Sequence, residues 1–544
     1  MAKGFGLAAL LVCGQTLAQA HDGADLVGTT HPFASKAVYF VVTDRFVDGD
    51  TSNNYPQDSG YRLPITINGQ QANVGFMGGD FKGLLQYADY IAEMGFGAIW
   101  LTPIVQNPAQ AFSGGDEIKA EGFAMDRHKA GYHGYWGTNF YRLDKHLPSP
   151  DLDFKQLNQA LNAKGLETIV DVVINHGSPA YSMTSAQAQS SQFGKLYDSD
   201  GLLVADHGNL APEQLQRQEP LQSWFNSDRD LAQLADMNTG DPRVMDYFVG
   251  AYLHWLEQGA SAMRIDTVKH VPSKDWGEFS RRIRDHYPDL FMFGEVYSFD
   301  ANEIGQYTRV ENGGMSVLDF PLKAALNQVF AEGAAYRTLL PALYLAPSDN
   351  PYHNPYELLT FYDNHDMPRM QATDAGFIDA HHWLFTARGI PVIYYGSEMG
   401  FERGKAEHQG NRNYFGAAGI DVARDHVIRA ALIKIANLRK QLVSLQRGLQ
   451  INLDFGDDTA AFYRVYRQAE HSEVSLVLLN KGDKSQTVTL TDIPAGDWYE
   501  PLSAQRHPLS GDVTISVPAH GVRVLVLTDA EIDASILARL APHS

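Results

Sequence analysis

Cysteine is nearly absent from this sequence. Among 544 residues there is one, Cys13, and it lies near the N-terminus. If the first residues are removed on export, no disulfide can form in the mature chain. A disulfide-stabilised fold is therefore excluded, and stability must come from the hydrophobic core or from bound metal ions.

Positive charge is also scarce. Lysine and arginine total 43 against 64 aspartate and glutamate residues, which gives a net charge of −21. Nucleic acids and anionic membranes bind basic surfaces, so this balance argues against both as partners and leaves neutral ligands open. The hydrophobic content of 44% and the charged content of 20% are those of an ordinary globular protein. We expect two or three domains, because 544 residues are too many for one core. We also expect the protein to be a monomer.

Long apolar runs are missing, and the one near the N-terminus is short. Lys3 is followed by the apolar residues 5–13 (FGLAALLVC) and by Ala18-Gln19-Ala20. This order is typical of a signal peptide cleaved after Ala20, and the apolar run is too short to span a membrane. We therefore expect a secreted protein, extracellular or periplasmic. A lipoprotein anchored at Cys13 is the alternative, although Val12 fits that pattern poorly.

Strand-like runs alternate with amphipathic, helix-like stretches over about 400 residues. The candidate strands are residues 38–42, 98–101, 168–173, 262–265, 291–293, 316–318, 358–361 and 392–395. Eight alternating units predict an α/β fold, a (β/α)₈ TIM barrel with insertions. A doubly wound open sheet is the alternative, but the Gly-rich turn that such a sheet uses for its ligand is missing.

Changes of pattern along the chain suggest where domains begin and end. After the third strand a long polar connection interrupts the barrel, and beyond residue 448 short alternating strands predict an all-β sandwich. The expected division is a signal peptide over residues 1–20, barrel over 31–176, insertion over 177–231, barrel over 232–447, C-terminal β-sandwich over 448–528 and a tail, helical or frayed, over 529–544.

Polar motifs follow four of the predicted strands. They are residues 171–176 (DVVINH), 263–270 (MRIDTVKH), 293–296 (FGEV) and 361–366 (FYDNHD). Parallel strands of a barrel end at one rim, so Asp266, Glu295 and Asp366 are expected to meet there. A retaining glycosidase needs a nucleophilic carboxylate and a carboxylic acid about 5 Å apart across one bond.

These four ordered motifs resemble the signature regions of the alpha-amylase family of retaining glycoside hydrolases. The resemblance covers roughly residues 38–527 and is to bacterial alpha-amylases and cyclodextrin glucanotransferases. It implies that Asp266 is the nucleophile, Glu295 the acid and base, and Asp366 a third carboxylate that binds and distorts the sugar. The residues agree: Arg264 faces the same side of the strand as Asp266 and would keep it ionised. The apolar run before Glu295 would raise the pKa of that carboxyl.

The same resemblance implies a set of residues that contact the sugar. They are Tyr135, His176, Arg264, Lys269, His270, Tyr297 and His365. Aromatic rings pack on the apolar faces of sugars, which suits Tyr135. The structural alternatives are a core role for the neighbouring Trp136, satisfied structural histidines, and a solvated Lys269.

Calcium is the expected cofactor, because it takes six to eight oxygen ligands and two oxygen-rich clusters occur here. The first resembles the N-terminal calcium loop of the glucanotransferases and comprises Asp48, Asp50, Asn53, Asn54, Gly78 and Asp80. The resemblance implies the second, in which Asn175, Asp236 and the His270 carbonyl join barrel and insertion around a calcium ion. An Asx-turn loop without metal is the alternative for the first cluster.

The resulting expectation is a secreted, endo-acting alpha-amylase that cleaves α-1,4-glucosidic bonds of starch-like glucans with retention. A cyclodextrin glucanotransferase-type transglycosylase, or an enzyme that degrades cyclodextrins or maltooligosaccharides, would use the same residues. A non-catalytic glucan-binding protein would be expected to lack a carboxylate, and all three are present. A hydrolase with a catalytic metal is disfavoured, since no ligand spacing such as HExxH occurs.

Overall fold

A computed structural model describes residues 25–119, 125–346, 350–529 and 531–540, and the predicted signal peptide lies outside them. The strands are β1 Val38–Val41, β2 Pro64–Ile67, β3 Gln70–Asn73, β4 Ala98–Leu101, β5 Val105–Gln106, β6 Asn139–Leu143, β7 Glu167–Val172, β8 His176–Pro179, β9 Lys195–Tyr197, β10 Leu203–Asp206, β11 Leu234–Asp236, β12 Ala262–Ile265, β13 Phe291–Gly294, β14 Ser316–Val317, β15 Leu359–Thr360, β16 Ile390–Tyr394, β17 Leu449–Phe455, β18 Thr459–Gln468, β19 His471–Asn480, β20 Gln486–Glu500, β21 Gln505–Val517 and β22 Gly521–Thr528.

The α-helices are α1 Thr43–Phe46, α2 Phe81–Gln86, α3 Ala88–Glu93, α4 Phe154–Asn162, α5 Ser185–Ser190, α6 Pro242–Glu257, α7 Ser273–Arg284, α8 Ala301–Gly305, α9 Phe320–Phe330, α10 Asp374–Thr386, α11 Gly416–Arg424, α12 Val427–Gln441, α13 Val443–Arg447 and α14 Ala534–Leu540. Side-chain caps start many of them. Asp153, for example, closes a capping box with Gln156 at the start of α4. No helix among the described residues is long and apolar enough to cross a membrane.

Eight parallel strands form the barrel predicted from the sequence. Their order is β14-β13-β12-β7-β4-β1-β16-β15, and a parallel bridge between Leu318 and Leu359 joins the last strand to the first. Each predicted run carries one of these strands. The runs are continuously apolar because the strands are buried on both faces, as in β1, β4 and β12.

The connection between β7 and β12 is the long insertion that the sequence indicated. Within it β8 pairs antiparallel with β11, and β9 pairs antiparallel with β10. Helix α6 then returns the chain to the barrel. The insertion therefore stands next to the carboxyl ends of β7 and β12, where the polar motifs lie.

The C-terminal region is all-β, as predicted. Its six strands form one antiparallel sheet in the order β17-β18-β19-β22-β20-β21. Phe462 of β18 lies in the same buried cluster as the barrel side chains, and its ring centroid is 5.6 Å from that of Trp383 in α10. Arg464 donates a 2.7 Å hydrogen bond to the Thr386 carbonyl at the end of that helix. Part of the sheet thus packs into the barrel core, while a second buried cluster, which includes Trp498 and Ile536, belongs mainly to the C-terminal region. Helix α14 occupies the tail, for which a helix or a frayed end was expected.

Candidate functional site

A cavity of about 450 Å³ opens at the carboxyl ends of the barrel strands. The predicted catalytic and sugar-contacting residues line it, with Arg264 as the exception. Those at the wall are Tyr135, His176, Asp266, Lys269, His270, Glu295, Tyr297, His365 and Asp366. Segments up to 231 residues apart in sequence therefore meet at one site, as parallel strand ends require.

Arg264 lies beneath the cavity floor and is fully buried. Its Nη1 donates to Asp266 Oδ1 at 2.7 Å and to Asp171 Oδ1 at 2.9 Å. Asp171 Oδ2 also accepts from Trp100 Nε1 at 2.9 Å and from the Tyr135 hydroxyl at 2.8 Å. One guanidinium therefore joins both carboxylates, and Asp171 acts by fixing Arg264 and Tyr135.

Glu295 lies farther from that guanidinium. Its Oε2 is 4.0 Å from Arg264 Nη2 and accepts a 3.2 Å hydrogen bond from the Thr267 backbone N–H. Burial raises the pKa of Glu295 to about 7, and the nearby carboxylates of Asp266 and Asp366 add to the rise while Arg264 opposes it. At neutral pH a large fraction of Glu295 is therefore protonated and able to donate a proton.

Asp366 is held by a side chain that sequence reasoning missed. Arg412 donates from Nη2 to Asp366 Oδ1 at 2.7 Å and from Nε to the His365 carbonyl at 2.9 Å. Three further charged residues, Asp126, Lys129 and Glu407, line the same wall. They lie in the segments that follow barrel strands β4 and β16, with Glu407 at the start of a short 3₁₀ helix, and no recognisable motif in the sequence marked them.

Some aromatic residues of the site line the cavity, and Trp136 also packs in the core behind it. The Tyr135 ring stacks on the His365 ring with centroids 5.3 Å apart. Trp136 is 3% exposed and packs near Phe112, yet its edge reaches the cavity. His133, which was not singled out from the sequence, also lines the wall. Trp136 therefore serves the core and the cavity together.

Lys269 and Tyr297 form the wall on the Glu295 side. Lys269 Nζ donates to the Tyr297 carbonyl at 2.8 Å, and the Tyr297 side chain is 41% exposed. This pairing keeps an aromatic ring beside the position where Glu295 would meet a leaving group.

The insertion contributes an aliphatic wall, made of Leu231, Ala232 and Leu234. The insertion's aromatic residues Trp224 and Phe225 are buried away from it. The part of the insertion that faces the cavity therefore presents small or aliphatic side chains to a ligand.

The first predicted calcium loop contains polar atoms that lack partners. Asp48 Oδ1, Asn53 Oδ1 and Asn54 Oδ1 are buried without a hydrogen bond among the described residues. Gly78, with φ of 101°, approaches the Asp48 and Asn54 oxygens so closely that a Cβ there would collide with them. Buried unpaired oxygens are costly unless a cation or water pairs with them, so this donor set fits a hard cation.

Asp50 and Asp80 of the same cluster already have partners. Asp80 accepts from the backbone N–H groups of Gly49, Asp50 and Gly83 and caps α2. Asp50 accepts from the Ser52 N–H at 3.0 Å. No group of three or more His, Cys, Asp or Glu side chains among the described residues is arranged for a metal ion, so a cation in this loop would depend on the asparagine oxygens.

The second cluster gains a member that the sequence did not reveal. Asp230 accepts from Asn175 Nδ2 at 3.0 Å and lies 2.8 Å from His270 Nδ1. Burial raises the pKa of Asp236 to about 7, with the negative charge of Asp230 adding to it. The insertion and barrel therefore meet at a group of oxygens in which the Asp236 carboxylate, among the described residues, forms no ion pair.

A cavity lined by buried carboxylates at the carboxyl ends of parallel barrel strands lies where TIM-barrel enzymes place their active sites. Comparison with known proteins then gives the family: the alpha amylase catalytic domain model matches residues 40–434. An alpha-amylase of Niallia circulans is 28% identical over 95% of this chain and 93% of its own length. A cyclomaltodextrin glucanotransferase of Bacillus licheniformis is 28% identical over 88% of this chain and 64% of its own length. The solved cyclomaltodextrin glucanotransferase CldA, with a three-domain ABC distribution, matches with a TM-score of 0.72 and 27% identity over 91% of this chain and 99% of that one.

The chain belongs to the alpha-amylase family. As a member of this family, it is an enzyme that acts on α-glucans by hydrolysis or by glycosyl transfer.

Proposed function

We propose that this enzyme hydrolyses α-1,4-glucosidic bonds of starch-like glucans and retains the anomeric configuration. The observation that carries the proposal is the contrast between two carboxyl groups in one cavity. Asp266 is hydrogen-bonded to Arg264 at 2.7 Å, whereas Glu295 is buried at 4.0 Å from the same side chain. One group is thereby suited to attack and the other to give a proton, as two-step retention requires.

In the first step Glu295 gives its proton to the glycosidic oxygen while Asp266 attacks the anomeric carbon. The carbon–oxygen bond breaks, the shortened glucan leaves as an alcohol, and a glycosyl–Asp266 ester forms. Glu295 is then a carboxylate and takes a proton from water, whose oxygen attacks the same carbon and releases Asp266. Asp366, fixed by Arg412 at 2.7 Å, would hold the hydroxyls of the reacting sugar.

The remaining wall residues suit binding. The Tyr135 ring offers a flat apolar surface to the reacting sugar, and its hydroxyl is tied to Asp171 at 2.8 Å. His176 and His365 are buried, and burial lowers the pKa of both, so each would be neutral and would donate one hydrogen bond to the sugar.

Water is favoured over a second sugar as acceptor by the aliphatic insertion wall of Leu231, Ala232 and Leu234. In the glucanotransferases that the sequence resembles, the insertion places a central aromatic residue that guides ring closure, and neither Trp224 nor Phe225 matches it here. One observation favours the alternative, glycosyl transfer: Tyr297 is 41% exposed next to Glu295 and could bind an acceptor sugar.

Calcium binding and export belong to the same proposal. The unpaired oxygens of Asp48, Asn53 and Asn54 support one calcium ion, and Asn175, Asp230 and Asp236 support a second between barrel and insertion. The apolar residues 5–13 and Ala18-Gln19-Ala20 support secretion after cleavage at Ala20.

A product profile tests the reaction. The enzyme is incubated with soluble starch, maltotriose and a cyclodextrin, and the products are separated by chain length. Linear products with a new reducing end for each bond broken, formed first as the α-anomer, are expected. Cyclic or lengthened products as the main outcome would favour glycosyl transfer, and β-anomers would contradict retention.

A further inference from the structure

A row of charged side chains leads away from Asp366 along the cavity wall. Arg412 joins Asp366 to Glu407: its Nη2 is 2.7 Å from Asp366 Oδ1 and its Nη1 is 2.9 Å from Glu407 Oε1. Lys129 Nζ then lies 2.9 Å from the same Glu407 oxygen and 3.3 Å from Asp126 Oδ1. All of these residues line the cavity, and the proposed mechanism uses only Asp366 and its partner Arg412.

The Lys129–Glu407 ion pair is largely shielded from solvent. Their side chains are 7% and 15% exposed, so water competes weakly for either charge. Burial opposes ionisation of Glu407, but Arg412 and Lys129 outweigh it and hold the pKa of Glu407 well below its usual range. Within the described residues Glu407 Oε2 accepts no hydrogen bond, which leaves it available to a ligand hydroxyl.

This pair connects two loops from different parts of the chain. Lys129 lies between β5 and β6, in the excursion that follows barrel strand β4, and Glu407 lies after β16. Strands β4 and β16 flank β1 in the barrel, so the pair spans the carboxyl end of β1. The β2–β3 hairpin ties the same loops together from behind: Asn413 Nδ2 donates to the Gln71 carbonyl at 3.2 Å, and the Ala130 N–H donates to the Val74 carbonyl at 2.9 Å.

The chemistry of the reaction says which end of the cleft this is. The proton donor must lie beside the leaving oxygen, so Glu295, Lys269 and Tyr297 mark the side of the departing glucan. The row from Asp366 to Lys129 begins at the reacting sugar and leads to the other side. It therefore lies where the glycosyl donor, the part of the glucan transferred to the nucleophile, must fit.

We propose that the Lys129–Glu407 ion pair closes the donor end of the cleft and limits the donor to a short oligosaccharide unit that ends in a free non-reducing sugar. Glu407 Oε2 accepts a hydrogen bond from a hydroxyl of that terminal unit. The inference rests on the proposed hydrolysis of α-glucans and departs from the expectation of endo action, since a long chain cannot pass a wall that joins two loops.

The product lengths from a maltooligosaccharide labelled at its reducing end test this directly. Wild-type enzyme is expected to release short unlabelled products of uniform length and to leave the label on the remaining chain. Lys129→Ala removes the bridge, so longer unlabelled products are expected, together with a faster loss of starch viscosity per bond broken. Lys129→Arg keeps the charge and should restore the short products. Lys145→Ala is the matched control, because Lys145 pairs with Asp58 outside the cavity and its loss should leave the lengths unchanged.

The possible results distinguish failure of the closed donor end from failure of the proposed hydrolysis. Mixed product lengths from wild-type enzyme, or unchanged lengths in a folded Lys129→Ala variant, overturn the closed donor end while leaving hydrolysis intact. Wild-type enzyme that cleaves no α-glucan overturns the proposed function itself. Should Lys129→Ala fail to fold by circular dichroism, Glu407→Gln weakens the same pair from its other side and must lengthen the products for the inference to stand.

Discussion

Glu295 and Asp266 carry the same chemical group, yet their surroundings prepare them for opposite tasks. Asp266 receives a short hydrogen bond from Arg264 at 2.7 Å, and Asp171 holds that guanidinium in place from the other side. Glu295 lies 4.0 Å from the guanidinium and is buried, so desolvation dominates and raises its pKa to about 7. Asp266 thus has a direct hydrogen bond to the buried arginine, whereas Glu295 has that arginine only as a more distant cationic neighbour, which fits the proposed nucleophile and the proposed acid.

Replacing Glu295 with glutamine removes the proton donor and keeps the shape. We expect kcat on maltooligosaccharides to fall about 10²–10⁴-fold, the usual contribution of a general acid. The first step on a glycosyl fluoride, whose leaving group needs little protonation, should fall much less, which burst kinetics would detect. The control is Glu332→Gln, an exposed position away from the cavity. Unchanged turnover in Glu295→Gln would refute the assignment.

The raised pKa of Glu295 also predicts how activity depends on pH. The acid form is required, so kcat/KM should decline as the pH rises through about 7, the pKa to which burial raises this group. Measurements between about pH 5 and pH 9 would locate this limb. An alkaline limb that stays in place in Glu295→Gln, measured with a glycosyl fluoride, would assign it to another group.

The same shift bears on stability. A carboxyl group whose pKa is raised on folding contributes stability below its unfolded pKa, and this is lost as the pH rises through the folded pKa. Glu295→Gln should therefore unfold at a higher temperature than wild type at pH 8, and the difference should shrink at pH 5. An equal difference at both values would contradict the buried, neutral acid.

At the scale of single elements, the loop after β1 is the segment in which we propose a calcium ion. Three of its side-chain oxygens are buried and unpaired, whereas Asp80 is committed to capping α2. A cation that binds only the folded loop stabilises it by about 2.7 kcal/mol at one hundred times its Kd. Removal of calcium should therefore lower Tm.

Variants of that loop provide the check. Asn54→Ala deletes one unpaired oxygen and should reduce the Tm difference between enzyme with calcium and enzyme with chelator. Asp151→Asn, at an exposed position outside the loop, should keep the full difference. If chelator leaves the Tm of the wild-type enzyme unchanged, calcium binding is contradicted both in this loop and in the second cluster around Asn175, Asp230 and Asp236.

At the scale of the whole molecule, the C-terminal sheet contributes side chains to the barrel core and also has a separate core of its own. The Phe462 ring is fully buried, and its centroid lies 5.6 Å from that of Trp383 in the barrel helix α10. Phe462→Ala should cost about 3–5 kcal/mol, as deletion of a buried phenylalanine does. Because Phe462 lies in the cluster that joins sheet and barrel, tryptophan fluorescence and activity should be lost together on heating, at a lower temperature than in wild type.

The control for that experiment is an exposed apolar residue. Leu202 is 64% exposed, so Leu202→Ala should change stability by less than about 0.5 kcal/mol. Two separate unfolding transitions in Phe462→Ala, with activity surviving the first, would show that the sheet unfolds independently of the barrel.

Much of this architecture could be predicted from the sequence, because each barrel strand leaves a local trace. The runs that became β1, β4 and β12 are apolar throughout since both faces are buried. Asp266, Glu295 and Asp366 follow such runs, and Arg264 lies two positions before Asp266. Local order along the chain was enough to bring these four residues to one rim.

The charged residues of the cavity wall around these carboxylates show no such local pattern in the sequence. Lys129 and Glu407 belong to different loops, and their side chains meet across 278 positions of sequence. Asp230 reaches Asn175 across 55 positions. From its local sequence alone, each of these charged residues would be predicted to lie in solvent on the surface. Only the folded barrel, which brings these loops to the same rim, places Lys129 beside Glu407 as an ion pair and Asp230 beside Asn175 as a polar cluster.

The sequence by itself determined the barrel, because burial and strand periodicity act over a few neighbouring residues, and its four motifs resembled those of the family and placed Asp266, Glu295 and Asp366 at strand ends. The tertiary structure decided what surrounds those carboxylates. The depth of Glu295, the shared guanidinium of Arg264 and the Lys129–Glu407 bridge depend on distances between loops. Such distances are set by the closure of the barrel, and local patterns do not encode them.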